Sequence, residues 1–406
     1  MTSRLIGRLL GLAFIVLLAR RQSQLVFAQY NYLLVLAAAV SVITDAGVAA
    51  VAAREVARGE AALAAAYRAA ILVQVTTGAV AGIAVAAVGV VAPGPERDLS
   101  ALLFLAIFVA VTSLFNLQAE LLRSTGRPLI EGGLQLLAGG LQLGLGVAVL
   151  LNGGGLAAVL ATLAIKQVAV VLVAQLWLPS PWSAAPDRAL RRWVVRRGLW
   201  LGGATTLATI MWRAGALLLG NVGSVASVAD FAVGSRFLEV SALVSQTLGI
   251  GVLPALARRA STAPQSMRRF VTRLAVFLVL PVVILTVPAV LITGPVTVAV
   301  FGQRYHSAVL PAEIFVGLTA LVLLYYAMWA VLVAERHERW VTGAAAVGAA
   351  LALALVPWIL LRPDATVTAI ATCTAISAAT VILVVGVART VGRVTANAGG
   401  ATPSRL

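Results

Sequence analysis

The sequence predicts an all-α polytopic membrane protein of twelve transmembrane helices arranged as two six-helix halves. Three observations carry this. First, 61% of the 406 residues are hydrophobic, 11% are charged, and the mean hydropathy is +1.02. An average soluble domain carries about 25% charged residues and has too little interior to hide so much apolar surface. Second, the apolar residues gather into stretches close to the roughly 20 residues that one helical span requires, which leaves little chain for an extramembrane domain. Third, the basic residues fall on alternate connections between those stretches.

Each span is bounded by charge or by turn-forming residues. The first, 5–20, is LIGRLLGLAFIVLLAR and ends at Arg20-Arg21. Arg8 interrupts its apolar run, and Ala19-Arg20-Arg21 is a poor small-residue cleavage site, so a cleaved signal peptide is not expected. Spans at 30–53 and 69–92 flank the charged segment Arg54–Arg68, and 99–122 follows Glu96-Arg97-Asp98. The turn RSTGRP opens 129–151. The uncharged run from Gly132 to Ile165 overshoots a bilayer if left whole, so Asn152-Gly153-Gly154-Gly155 divides it before 155–178. A link at 179–198 with three prolines and five arginines separates the halves, giving 1–178 as the first lobe and 199–388 as the second, with a tail at 389–406. The second lobe holds spans at 199–219, 228–253, 270–293, 311–334, 340–361 and 365–388.

The formal net charge is +16, from 30 basic and 14 acidic residues. In a soluble chain this would point to nucleic acid. Here the positive-inside rule accounts for it. The connections on one side hold only Arg20, Arg21, Arg97, Arg304 and Arg362; Lys166, Arg213 and Arg236 fall inside spans; the other 22 basic residues share the side of the two termini. That split predicts cytoplasmic termini in the inner membrane. Cys373 is alone and His306 and His337 are far apart, so neither a disulfide nor a metal centre is expected.

The halves repeat. Residues 27–54 align without gaps with 231–258, matching at ten of 28 positions, among them Phe27/Phe231, Ser41/Ser245, Gly47/Gly251 and Arg54/Arg258. These segments are the second and eighth helices and run in the same direction. A parallel repeat about the membrane normal is an arrangement of alternating-access transporters.

The same segments carry a family resemblance. RLIGRLLGLAFIVLLAR, then FAQY, then TDAGVAAVAAREVAR resembles the start of polysaccharide and lipid-linked oligosaccharide flippases of the Wzx type. GALLLGNVGSVASVADFAVGSRFLE, GVLPALARR and VFGQRYHSAVLPAEIF are similar to later parts of that family in the same order, over about 300 residues in all. The family belongs to the multidrug/oligosaccharidyl-lipid/polysaccharide (MOP) superfamily. The resemblance implies a MATE-like fold, two six-helix lobes forming a V around a central cavity. It also implies a polyprenyl-diphosphate-linked glycan as substrate, and a polysaccharide polymerase and glycosyltransferases as partners. Lipid II flippases of the superfamily typically have fourteen helices, against twelve here. Many relatives carry an acid in helix seven just before the LLLG stretch; this chain has Gly215 there, and Gln303 and Arg304 stand where the outer loop often has acids.

Charges inside spans are the candidate site, because each costs at least about 2.5 kcal/mol at the bilayer centre and must face protein or water. Arg8, near the cytoplasmic end of helix one, can bind a diphosphate or snorkel to the interface. Arg213 lies deeper in helix seven, where a cavity-facing anion site is favoured. The resemblance places helices one and seven in equivalent positions, which makes Arg8 and Arg213 a pair. Arg236 and Glu239, three apart on helix eight with Gln246 on the same face, read either as a self-neutralising pair or as part of a substrate or ion site. Lys166 in helix six is a structural residue or a proton site. Asp45 pairs with Arg8, caps a helix break beside Gly47, or carries a coupling proton. Arg54 is an interface residue or a lipid-phosphate contact. Two stripes, Thr112/Asn116/Glu120/Arg123 and Glu131/Gln135/Gln142, are expected to hydrogen-bond to each other across helices four and five.

Three function classes follow. The first is a flippase moving a lipid-linked oligosaccharide to the outer leaflet without covalent chemistry or a cofactor, driven by membrane potential or an H+ or Na+ gradient. The second is a multidrug or natural-product exporter, which should carry cavity acids for organic cations. The third is a membrane glycosyltransferase; it requires an acidic catalytic residue in a substantial outer loop, and the outer loops here are short.

Overall fold

The computed structural model describes residues 2–45, 47–59, 61–91, 98–262, 267–334 and 337–399. Among the charges assigned to connections above, Glu96, Arg97, Arg336 and Arg405 lie outside them. Regular structure among the described residues is helical throughout, with no strand. In the first part run α1 (Thr2–Arg21), α2 (Gln24–Asp45), α3 (Val48–Arg58), α4 (Leu63–Val91), α5 (Leu99–Ser124), α6 (Pro128–Leu151) and α7 (Leu156–Gln175). Then come α8 (Arg188–Val222), α9 (Val225–Thr262), α10 (Met267–Phe301), α11 (Val309–Gly317), α12 (Thr319–Ala334), α13 (Glu338–Ala354), α14 (Val356–Leu361) and α15 (Ala365–Gly399).

These elements are the twelve predicted rods, three of them interrupted: α2–α3, α11–α12 and α13–α14 each replace one expected span. The α2–α3 break has a local cause. Gly47 takes φ 71°, and a Cβ there would come within 2.8 Å of Gly198 O and 2.9 Å of Gly202 N on α8. Only glycine accepts both the left-handed backbone and that approach. The expected division at Gly153 is also observed, with φ 69°. The link 179–198 is shorter than expected, because residues 188–198 form the first turns of α8. Asp187 supplies the start signal: its Oδ1 accepts from Leu190 N at 2.9 Å.

Nine helical stretches among the described residues are long and apolar enough to cross a membrane, and the chain is a multi-pass membrane protein. The three remaining rods, α1, α8 and α9, are those that hold Arg8, Arg213, and Arg236 with Glu239.

The chain divides into two compact units, Met1–Thr209 and Ile210–Leu406, so the division falls within α8. In the first unit α1 lies along α6 in the same direction. Ser3 meets Gly132, Gly7 meets Gly139 and Phe14 meets Gly146, so the heptad spacing of three glycines gives one smooth face. A Cβ on Gly139 would stand 2.3 Å from Gly7 O. Val194 of α8 is fully buried against α3, α4 and α5 residues such as Val51, Tyr67 and Leu121. The second unit has its own core, in which Met211 and Leu219 of α8 pack with Phe231, Phe315, Val331 and Ile376.

The polar stripes make contacts within their own helices and to α7. Glu120 pairs with Arg123 on its own helix at 2.5 Å. Gln135 Nε2 donates to Glu131 at 3.4 Å, and Gln142 Nε2 reaches Thr162 on α7 at 3.3 Å.

Candidate functional site

The second unit brings three of the predicted residues together. Arg236 and Glu239 lie one turn apart on α9, and Arg236 Nη1 donates to Glu239 Oε2 at 2.6 Å. From α8, Arg213 Nη1 donates to the other oxygen, Oε1, at 3.3 Å. One carboxylate therefore holds two guanidinium groups, and the group carries one net positive charge. The two arginines differ in surroundings: the Arg236 side chain is 7% exposed, that of Arg213 33% and that of Glu239 39%. Arg236 is the anchored member, with a shorter bond in a buried position. Arg213 is longer-bonded and open, as a residue must be to exchange partners.

An aromatic and amide surface continues from this group. Trp212, next to Arg213, stacks on Tyr326 of α12 with centroids 6.5 Å apart, and meets Tyr325 edge-on at 6.2 Å. Gln246, two turns beyond Glu239 on α9, donates to the Tyr326 hydroxyl at 2.7 Å. The Ser241 and Thr319 hydroxyls bond at 2.8 Å between the same two helices. Arginines beside aromatic faces and amides can take phosphate through forked N–H donors and sugars through ring faces and hydrogen bonds. Gly215 explains why no acid stands before LLLG: a Cβ there already meets Thr368 Cγ2 at 3.0 Å and Thr372 Oγ1 at 3.1 Å on α15.

The first unit treats its predicted residues separately. Asp45, the last residue of α2, accepts from Gln74 Nε2 of α4 at 2.7 Å and from the Ala49 amide of α3. It thus caps the helix break. The expected pairing with Arg8 is not formed: the break turns the carboxylate toward α3 and α4, and Arg8 lies exposed on α1. Lys166 of α7 has its Nζ 5.9 Å from the Phe108 ring centroid, a cation–π contact. Arg54 is exposed on α3. Arg8 belongs to the first unit and Arg213 to the second. Buried polar order in the first unit comes instead from Tyr67, whose hydroxyl donates to Gln175 at 2.6 Å while Gln118 donates to it at 3.1 Å. Scattered amides and a tyrosine give no charge signal in sequence, so this network was not among the predicted residues. No group of three or more metal-binding side chains occurs among the described residues.

No family model and no curated protein sequence matches the chain. Solved structures do. The inward-facing form of a multidrug-resistance MATE family transporter of the MOP superfamily covers 98% of this chain and 96% of its own at a TM-score of 0.77 and 12% identity. The lipid II flippase MurJ in an inward closed conformation matches at a TM-score of 0.73 and 14% identity, over 98% of this chain and 89% of that one. A MOP superfamily transporter from Pyrococcus furiosus, described by the reverse polarity of its binding pocket, matches at 0.67 and 14%, over 97% and 94%. Across nearly its whole length, the chain has the fold of the MOP superfamily transporters.

Proposed function

We propose that the protein is an alternating-access flippase for a polyprenyl-diphosphate-linked oligosaccharide. It would act in the cytoplasmic membrane, with both termini in the cytoplasm, in cell-surface polysaccharide assembly. The observation that carries this reading is the Arg213–Glu239–Arg236 group, a net cation inside spans of a transporter fold. A diphosphate is the anion that two converging guanidinium groups recognise well. In this reading the headgroup enters from the cytoplasmic leaflet, the glycan meets Trp212, Tyr326 and Gln246, and the polyprenyl tail stays in lipid. Arg8 and Arg54 serve at the cytoplasmic entrance, where phosphate passes first. No bond is made or broken, so the protein is a transporter rather than an enzyme. The driving force is the membrane potential or a cation gradient, and glycosyltransferases and a polymerase work on either side of the step.

The second reading, export of drugs or natural products, is supported by the likeness to a multidrug-resistance transporter. Against it stands the sign of the charge: a pocket for organic cations needs acids in excess, whereas this group holds two arginines to one glutamate. Deleting the gene and isolating the lipid fraction separates the two. The flippase reading predicts accumulation of a lipid-linked glycan, with loss of surface polymer. New sensitivity to drugs with no such intermediate would transfer the assignment to the exporter.

A further inference from the structure

Five exposed arginines crowd residues 188–197, the first turns of α8 in the first unit, and the site above uses none of them. Arg188, Arg192 and Arg196 follow one another at intervals of four, so they stand in one row along the helix. Arg191 and Arg197 flank the row. The opposite side of these turns is the packed one, with Val194 fully buried and Gly198 also buried. The row continues at Leu199, which is 61% exposed, and at Gly203, where a Cβ would meet nothing within 4 Å. One face of α8 is thus open over 188–203.

This row works against the helix that carries it. Like charges four apart repel, and cations are disfavoured at a helix N-terminus, where the peptide dipoles present their positive end. Between residues 179 and 222 the only acid in the sequence is Asp187, and its Oδ1 is engaged with the Leu190 amide at 2.9 Å. None of the five arginines pairs with a carboxylate among the described residues. Acids on the neighbouring helices are committed elsewhere: Glu55 of α3 is 5% exposed, and Glu120 of α5 is held by Arg123. Arg197 lies instead over the Trp193 ring at 5.9 Å, and that residue is 37% exposed. The negative charge that balances the row therefore comes from outside the chain.

The length of α8 says from where. Its 35 residues span about 52 Å at about 1.5 Å per residue, against about 30 Å of hydrocarbon in a bilayer. The turns at 188–197 account for about 15 Å of the excess, so the row lies in the headgroup layer while Leu199 reaches the acyl chains. Tryptophan and arginine side by side suit that layer, which is wet at one edge and apolar at the other. We infer that the open face of α8 over 188–199 binds the headgroup of an anionic phospholipid. Neighbouring guanidinium groups take its phosphodiester, and its acyl chains lie along Leu199. A soluble anion gains nothing from exposed Leu199, whereas a lipid does. The site stands apart from the Arg213–Glu239–Arg236 group and serves a flippase and an exporter alike.

The test is thermal unfolding of the purified full-length protein in detergent, titrated with phosphatidylglycerol or, at the same mole fraction, with zwitterionic phosphatidylcholine. Wild type is compared with the row variant Arg188→Gln/Arg192→Gln/Arg196→Gln. A second triple variant, Arg58→Gln/Arg127→Gln/Arg339→Gln, removes the same charge from exposed positions elsewhere. Wild type gains a few degrees in Tm with phosphatidylglycerol beyond phosphatidylcholine, saturably, and the gain falls as salt is raised. The row variant loses most of that gain, yet in phosphatidylcholine it unfolds no earlier than wild type, because its like charges no longer repel. The second triple variant keeps the gain. A wild-type Tm equal in the two lipids overturns the proposal, as does an equal loss in the two triple variants, the mark of diffuse surface charge. Polyglutamate that raises the Tm as much without added lipid, through the same three arginines, also overturns it and assigns the row to an acidic protein. If the row variant does not fold, Arg192→Gln alone decides: a midpoint moved to higher phosphatidylglycerol supports the site, and an unchanged midpoint overturns it.

Discussion

Residues 27–54 and 231–258 are aligned repeats, yet the two helices they form solve different problems. In the first unit the segment breaks at Gly47 into α2 and α3, and its acid, Asp45, is spent on the break. In the second unit the aligned segment runs through as the continuous helix α9. Its charges stand where the first unit has none: Arg236 aligns with Tyr32 and Glu239 with Val35. The first unit combines glycine faces and neutral hydrogen bonds, such as Tyr67–Gln175 and Gln118–Tyr67, with the Glu120–Arg123 pair inside one helix. The second carries a charge group joined between two helices. At these aligned positions one copy of a repeated segment is neutral while the other carries an arginine and a glutamate, and the cost of charge in the membrane makes that difference informative.

Breaking the first unit at its closest helix contact gives the largest effect. Gly139→Leu places a side chain where a Cβ alone would stand 2.3 Å from Gly7 O. The strain is about 3 kcal/mol or more, enough to remove the folded protein from detergent extracts assayed by size-exclusion chromatography. Next is Glu239→Gln in the second unit. It strips two arginines, one of them 7% exposed, of their carboxylate. A loss of about 2–3 kcal/mol is expected in thermal unfolding. Adding Arg236→Met to that variant should recover much of the loss, because it removes the buried guanidinium whose carboxylate has gone.

Smaller effects sharpen the contrast. Asp98 caps α5, accepting from Ser100 N at 3.0 Å and Ala101 N at 3.2 Å. Asp98→Ala should cost about 1 kcal/mol. The Ser100 hydroxyl above all, with the two amides, holds the Asp98 carboxyl below the usual carboxylate range, against the opposing effect of burial. Its contribution is therefore complete above the unfolded carboxyl's ordinary pKa and fades as pH falls through the lowered folded value. The wild-type advantage over Asp98→Ala should shrink in acid. Asp45→Asn should be the mildest, under about 1 kcal/mol, because an amide oxygen can still accept from Gln74. A loss as large as that of Glu239→Gln would end the contrast between the units.

Much of the fold was legible because membrane spans are written in composition. The twelve rods, the Gly153 division and the Arg236–Glu239 spacing were all read from residue order. What was not legible required the third dimension. Nothing in sequence joins Arg213 to Glu239, 26 residues away on another helix. Asp45 beside Gly47 admitted three readings, and only the position of Gln74 and the Ala49 amide chose among them. The start of α8 was displaced to residue 199 because five arginines look like a loop, whereas Asp187 and buried Val194 make them the outer face of a helix. An acid near a helix start normally faces water, so the sequence gives no sign that Asp230 on α9 is 6% exposed.

We propose that Arg213 belongs to the anion-binding element of a flippase. The direct measurement is surface-polymer export, with extraction of lipid-linked glycan, in a deletion strain complemented by Arg213→Ala at matched membrane abundance. Export should be abolished and the lipid-linked intermediate should accumulate although the protein is inserted. Wild-type export with no accumulation would contradict it.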